Sequence, residues 1–167
     1  MIKKNLSEQL DLVRRDSCSE FVEYTNEFTL KSKAVAELYK PRIYLGVEKF
    51  EAYIRRHGQL DPVDERKLLE THRRDLQAIY FSYCECHDNN ELLIVRNPEL
   101  SKLYFKYGHC PGKSAQQALI RGKTKNIYCF IKIFSFCDEV LADFMHHADK
   151  KLKNCYVRLH PKGIMAF

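Results

Sequence analysis

The stretch that decides the fold is "LDPVDERKLLETHRRDLQAIYFSYC", residues 60–84. Asp61 is a favourable N-cap residue, Pro62 suits the first helical position, and acidic residues follow in the first turn. The side chains that would form one helical face then recur every three or four residues, at Leu69, His72, Leu76, Ile79 and Tyr83. That spacing is typical of an amphipathic helix. The stretch therefore predicts a long helix that reaches residues 84–87 and ends in the turn-forming "DNN" of residues 88–90.

The same start and stop signals recur on both sides of this stretch. Before it, Asn5 and Glu8 resemble a capping box that starts a helix over residues 6–28, a second helix stops at Pro41, and a third stops at Gly58. After it, the signals predict a helix from Asn97–Pro98 to Gly108, a two-turn helix from Ser114 to Gly122, a long helix over residues 124–153, and an extended tail from Cys155.

These signals predict an all-α fold. We expect a single-domain bundle of six or seven helices with a short extended C-terminal tail, in which residues 1–167 form one helical domain. We find no internal repeat, no low-complexity tract and no linker. The apolar stripes predict ten core residues: Leu10, Phe21, Phe50, Leu69, Leu76, Ile79, Ile131, Phe134, Leu141 and Phe144.

The composition bounds the class of protein. The chain has 167 residues, seven cysteines and a formal charge of +6, a length that suits one domain. The first 15 residues lack the apolar region of a secretion signal, and the longest apolar run is interrupted by Lys132 and is too short to cross a bilayer. We therefore expect an intracellular, cytoplasmic protein with reduced cysteines and no membrane span.

Two clusters of cysteine and histidine form a candidate metal site: Cys84, Cys86 and His87, followed by His109 and Cys110. Zinc needs four such ligands, usually with two to four residues between paired cysteines. Here one residue separates the first pair, so the alternative of ordinary thiols and helix-terminal histidines is favoured. We expect no cofactor, and zinc is the alternative.

Other chemistry has weaker support. Cys110 beside His109 and Lys113 could be a reactive thiol, and "GHCPGKSA" at 108–115 is one residue too short for a phosphate-binding P-loop. Glu139, Asp143 and His147 share a helical face, but they lack the ligand pattern of a bundle metal site. We therefore assign no catalytic residue, and a small cysteine- or metal-dependent enzyme is the third hypothesis.

The clearest electrostatic signal is the segment from Arg96 to Lys132, which holds eight basic residues and a single acidic one, Glu99. Interleaved lysine, arginine and aromatic side chains are found in nucleic-acid binders. The candidate polyanion-binding residues are Arg96, Lys102, Lys106, Lys113, Arg121, Lys123 and Lys125. The candidate stacking residues are Tyr104 and Tyr107. The alternative is a solvated face with its aromatic rings turned inward.

The first functional hypothesis is a non-catalytic interaction protein, a regulator, adaptor or subunit of a larger assembly, with a protein partner. It rests on the absence of a catalytic motif and on an aromatic content of 12%, all of it Phe and Tyr. The second hypothesis is an RNA- or DNA-binding helical protein that uses residues 96–132.

Overall fold

The computed structural model describes residues 1–15, 17–37 and 46–161, which contain twelve α-helices and no strand. By contacts the chain divides into two compact units, residues 1–86 and 87–167. The first unit contains α1 (Leu6–Arg14), α2 (Cys18–Glu27), α3 (Ser32–Ala36), α4 (Val47–His57), α5 (Pro62–Glu70) and α6 (Arg74–Tyr83). The second contains α7 (Asp88–Arg96), α8 (Pro98–Lys106), α9 (Lys113–Ile120), α10 (Thr124–Ile131), α11 (Asp138–His147) and α12 (Lys150–Leu159). The single domain stays a prediction.

The all-α class is confirmed, but the count of six or seven helices is wrong. Three helices predicted as continuous are divided: residues 6–28 form α1 and α2, the helix that starts at Pro62 forms α5 and α6, and residues 124–153 span α10, α11 and the start of α12. The apolar spacing runs through these breaks because both helices at each break need a buried face. At the break between α10 and α11 the loop contributes one buried ring, since Phe136 is only 4% exposed.

Two other local predictions are wrong. The "DNN" of residues 88–90 starts α7 instead of ending a helix, and its Asn90 is buried. The tail from Cys155 is helical as far as Leu159, and residues 162–167 lie outside the described residues, as does Pro41.

The predicted caps are mostly confirmed. The Asp61 and Asn97 side chains accept hydrogen bonds from the first-turn amides of α5 and α8, each of which has proline at its start. Gly58 and Gly108 follow α4 and α8 with φ of 74° and 85°, a left-handed conformation that glycine adopts without a steric penalty.

The twelve described helices fall into six consecutive pairs, which we call hairpins, each with a first helix (α1, α3, α5, α7, α9, α11) and a second helix (α2, α4, α6, α8, α10, α12). In the first unit α1 packs on α3, and α2 packs on α4, which packs on α6. In the second unit α7 packs on α9 and α9 on α11, while α8 packs on α10 and α10 on α12. Each unit is thus built like a tandem helical repeat, in which first helices contact first helices and second helices contact second helices.

The repeat is visible in the spacing of the helices, although no repeat was found in the sequence. The last four first helices start at residues 62, 88, 113 and 138, at intervals of 26, 25 and 25 residues. Counted from the first residue of each second helix, register position seven is always aromatic and buried: Tyr24, Tyr53, Tyr80, Tyr104, Phe130 and Tyr156. Each second helix therefore carries one large buried ring at the same register position.

Register position four of the first helices completes this arrangement. It is always buried, and in four of the six it is Gln or Glu: Gln9, Glu65, Glu91 and Gln116. Within a hairpin, the Tyr80 hydroxyl donates to Glu65 Oε2 at 2.6 Å and the Tyr104 hydroxyl donates to Glu91 Oε1 at 3.2 Å. In hairpin 1, Gln9 Nε2 lies 3.4 Å from the Tyr24 hydroxyl.

Three of these four side chains at position four also accept a hydrogen bond from the next hairpin along the chain. Gln9 accepts from the Lys31 amide at 2.8 Å, Glu91 from the Gly112 amide at 2.7 Å, and Gln116 from the Cys137 amide at 3.1 Å. All three donors are the N-cap residues of the next first helix, which has no side-chain cap of its own. We call these contacts the hairpin ties. They satisfy buried polar groups while fixing one hairpin to the next.

Seven of the ten predicted core residues are buried: Phe21, Phe50, Leu69, Leu76, Ile131, Leu141 and Phe144. The other three, Leu10, Ile79 and Phe134, are half-buried. The apolar spacing therefore identified the buried face of each helix even where it missed the break between two helices.

A hairpin tie can be tested at Glu91. Glu91→Ala removes the acceptor of the Gly112 amide and of the hydrogen bond from the Tyr104 hydroxyl, so the free energy of unfolding should fall by about 1–3 kcal/mol. Glu91→Gln keeps an acceptor and should recover most of that loss. Gln117→Ala, an exposed change on α9, should alter stability by no more than about 0.5 kcal/mol. Urea denaturation followed by circular dichroism measures all three, and equal losses in Glu91→Ala and Gln117→Ala would contradict the role of the tie.

Candidate functional site

The five candidate metal ligands lie at helix ends. Cys84 follows α6 and Cys86 lies two residues later, and both are buried in the first unit. In the second unit, His87 is the N-cap residue of α7, the His109 ring lies 4.9 Å from the Tyr104 ring, and Cys110 is exposed. Among the described residues, no group of three or more His, Cys, Asp or Glu side chains is placed to hold a metal ion.

Cys84 has the environment of a packed thiol. Its side chain is 7% exposed, and burial, together with the nearby Glu65 carboxylate, raises the pKa of the Cys84 thiol to about 11. A thiol with such a pKa stays protonated at neutral pH, and the thiolate is the form that acts as nucleophile or metal ligand. Cys84 therefore belongs to the packing of hairpin 3.

The acidic residues of α11 are engaged with basic neighbours. Glu139 forms an ion pair with Lys113, Asp143 lies 3.7 Å from Arg121, and His147 Nδ1 lies 2.8 Å from Asp143. The first two pairs link α11 to α9, whereas the contact between His147 and Asp143 lies within α11. The predicted shared face of Glu139, Asp143 and His147 is thus a surface of ion pairs.

The structure divides the seven candidate polyanion-binding residues between two surfaces, and all seven are exposed. Arg96, Lys113 and Arg121 lie on or next to first helices, where Lys113 and Arg121 are paired with acids of α11. The remaining four lie on or next to second helices: Lys102, Lys106, Lys123 and Lys125. The basic segment is therefore not one surface, because hairpins alternate its residues between two faces.

The two stacking candidates differ in exposure. Tyr104 is 1% exposed and occupies register position seven of α8, where its hydroxyl donates to Glu91. Tyr107 is 38% exposed at the end of α8, with the Lys106 ammonium 5.9 Å from its ring centroid. Only Tyr107 presents its ring to a ligand.

A recurring exposed apolar position was missed by the sequence analysis. Counted in the same way, register position ten lies at or just after the C-terminal end of each second helix of the second unit. In the three hairpins of that unit it is Tyr107, Ile133 and Leu159, at 38%, 50% and 41% exposure. These residues are spaced 26 residues apart in the sequence. We call this set the apolar row. Its signal is a repeated basic–apolar pair, Lys106–Tyr107, Lys132–Ile133 and Arg158–Leu159, which becomes visible once the repeat length is known.

No helix within the described ranges has the length and apolar content needed to cross a bilayer. The longest of them has eleven residues.

The raised pKa of Cys84 predicts how stability depends on alkaline pH. Its thiol stays protonated in the folded state above pH 9, whereas an unperturbed thiol has a pKa of 9.0. The folded state then binds more protons than the unfolded state, so the contribution of Cys84 to the free energy of unfolding should be constant below about pH 8 and should fall between about pH 9 and 11. Denaturation at several pH values should show a shallower fall for Cys84→Ala than for Cys137→Ala, which removes an exposed thiol. Equal slopes would contradict the effect of burial on Cys84.

Buried polar side chains such as Glu65, Glu91 and Gln116 are thus hydrogen-bonded within or between hairpins, and the recurrent exposed features of the second unit are its cations and the apolar row. No protein-family model, no curated protein and no solved structure matches this chain.

Proposed function

We propose that this protein is a non-catalytic interaction protein, a regulator, adaptor or subunit of a larger assembly, and that the apolar row of its second unit contacts a protein partner. The observation that carries the proposal is the apolar row itself. Tyr107, Ile133 and Leu159 occupy one register position in three successive hairpins. Exposed apolar side chains that lie singly are ordinary, but a repeated set is typical of an interaction surface.

The packing of the second helices supports contact with one continuous partner segment. Because α8 packs on α10 and α10 on α12, the C-terminal ends of these helices follow one another at the spacing of packed helices, about 8–10 Å. An extended or helical segment of a partner could therefore contact Tyr107, Ile133 and Leu159 in turn. Tandem helical repeats bind their partners through extended surfaces of this kind.

The use of the buried polar residues supports a non-catalytic function. A catalytic site needs a nucleophile, an acid or a base that can reach a substrate. Here Glu65, Glu91 and Gln116 are buried and hydrogen-bonded within or between hairpins. These buried acids and amides hold the hairpins together and do not reach a substrate.

The proposal predicts that charge placed in the apolar row abolishes partner binding. The triple variant Tyr107→Asp, Ile133→Asp and Leu159→Asp should lose the partner, because each change puts a carboxylate where the partner's apolar side chain would bury it. Affinity capture from cells that express the protein, followed by a titration with the purified partner, measures the loss. We expect affinity to fall more than about tenfold.

The matched control places three aspartates at exposed apolar positions of the first unit, Ile2→Asp, Val47→Asp and Val63→Asp, where the native side chains are 87%, 38% and 62% exposed. The control should keep the partner. Circular dichroism should show both variants folded. Equal recovery of the same proteins by both variants would contradict the assignment of the apolar row.

A further inference from the structure

The second helices of the second unit share an exposed face whose charge is strongly positive. Register positions two, five and nine of a second helix point the same way, since they are three and four residues apart. In the second unit these positions hold Glu99, Lys102 and Lys106 of α8, Lys125, Tyr128 and Lys132 at α10, and Lys151, Asn154 and Arg158 of α12. We call this set the basic face. Six of its nine residues are cations and one is a carboxylate.

Most cations of the basic face have no neutralising partner within the described ranges. All six are exposed. Within the described part of the chain, only Lys125 has a carboxylate nearby, that of Glu99 at 4.0 Å. On the first helices of the same unit, by contrast, Lys113 and Arg121 are paired with Glu139 and Asp143. Among the described residues, the basic face therefore holds most of the exposed, unpaired cations of the unit, five against Arg96, Lys123 and Lys150 elsewhere.

The equivalent positions in the first unit show that the charge does not follow from the repeat. There, positions two, five and nine hold three carboxylates and a single cation: Ser19, Val22, Asn26, Glu48, Glu51, Arg55, Asp75, Ala78 and Ser82. Arg55 is paired with Glu51 at 2.9 Å. The same architecture thus presents a slightly acidic face in one unit and a strongly basic face in the other.

The basic face contains a groove between α10 and α12 with a volume of about 610 Å³. Its lining combines three cations with two polar groups and a half-buried aromatic ring: Tyr128, Lys132, Lys151, Asn154, Cys155 and Arg158. Cations along the walls can neutralise phosphates, and the amide and the phenol can form hydrogen bonds to a ligand.

We propose that the basic face binds the sugar–phosphate backbone of a single-stranded nucleic acid, which passes through the groove between α10 and α12. Its six cations extend across three packed helices, which matches the repeated phosphates of a nucleic-acid strand. The face carries no exposed aliphatic residue to anchor a protein partner, and protein interfaces depend on such anchors. A positive groove with an aromatic ring is typical of single-strand binders.

This inference is independent of the proposed protein partner, because it uses positions two, five and nine of the second helices instead of position ten. It also revises the candidate residues. Lys102, Lys106 and Lys125 are retained, and Lys132, Lys151 and Arg158 are added. Arg96, Lys113 and Arg121 are assigned to the opposite face, that of the first helices, and Lys123, the N-cap residue of α10, lies outside the basic face.

The test is the salt dependence of binding by the full chain. Fluorescence anisotropy with labelled single strands of RNA and DNA of about 20 nucleotides, at about 50 and 200 mM salt, measures affinity and salt slope. We expect the protein to bind a single strand. The affinities for the RNA strand and the DNA strand then show which of the two sugar–phosphate backbones it prefers. The triple variant Lys132→Gln, Lys151→Gln and Arg158→Gln should lower the salt slope by about 2, since each lost contact with a single strand removes about 0.7.

The matched control removes three cations from the opposite face, by Arg96→Gln, Lys113→Gln and Arg121→Gln. It has the same net charge as the triple variant and should keep the salt slope of the native protein. Three results would each overturn the proposal: no binding at low salt, equal loss in both variants, or equal affinity for polyglutamate or for duplex. The triple Asp variant of the apolar row should keep residual single-strand binding, and Lys132→Gln added to it should weaken that binding further. Failure of this proposal and failure of the proposed function can therefore be distinguished.

Discussion

The hydrogen bonds of register position four in the first helices are the contacts on which the arrangement of hairpins depends. Glu91 shows this most fully, because its carboxylate accepts from the Tyr104 hydroxyl of its own hairpin and from the Gly112 amide of the next. A Cβ added to Gly112 would lie 3.2 Å from Glu91 Oε2, so a residue without a side chain suits that close approach. Buried polar groups of this kind are costly unless every one is satisfied, which gives the stacked register a strong preference over any alternative.

This constraint determines which positions of each hairpin are buried and which are exposed. The seventh position of the second helix must be a large ring, and the fourth position of the first helix is most often Gln or Glu, so neither is available to a ligand. The second, fifth, ninth and tenth positions of the second helices face outward and can vary. In the second unit that variation has produced the basic face and the apolar row. Function in such an architecture resides in what successive hairpins display at equivalent positions.

The sequence predicted the helical class and several helix starts, because the signals at Asp61–Pro62 and Asn97–Pro98 are local. It could not predict the helix breaks, because the groups that satisfy them are distant. The end of α5 shows the reason: the Gln77 amide donates to the carbonyls of Leu68 and Thr71 at 2.9 and 3.0 Å, a contact that exists only once α6 has folded back. The candidate polyanion residues were found by charge density along the chain, which does not reveal that hairpins separate Arg96 from Lys102. The repeat could have been found from the spacing of Tyr24, Tyr53, Tyr80 and Tyr104, which varies between 24 and 29 residues.

The central claim is that the hairpin ties hold successive hairpins in register, and native-state hydrogen exchange measured by NMR tests it most directly. The amides of Lys31, Gly112 and Cys137 donate to Gln9, Glu91 and Gln116. The amides that follow them, of Ser32, Lys113 and Asp138, are first helical positions with no intrahelical acceptor. We predict slow exchange for the first three amides and fast exchange for the second three. Fast exchange at Lys31, Gly112 and Cys137, as rapid as at their neighbours, would contradict the account.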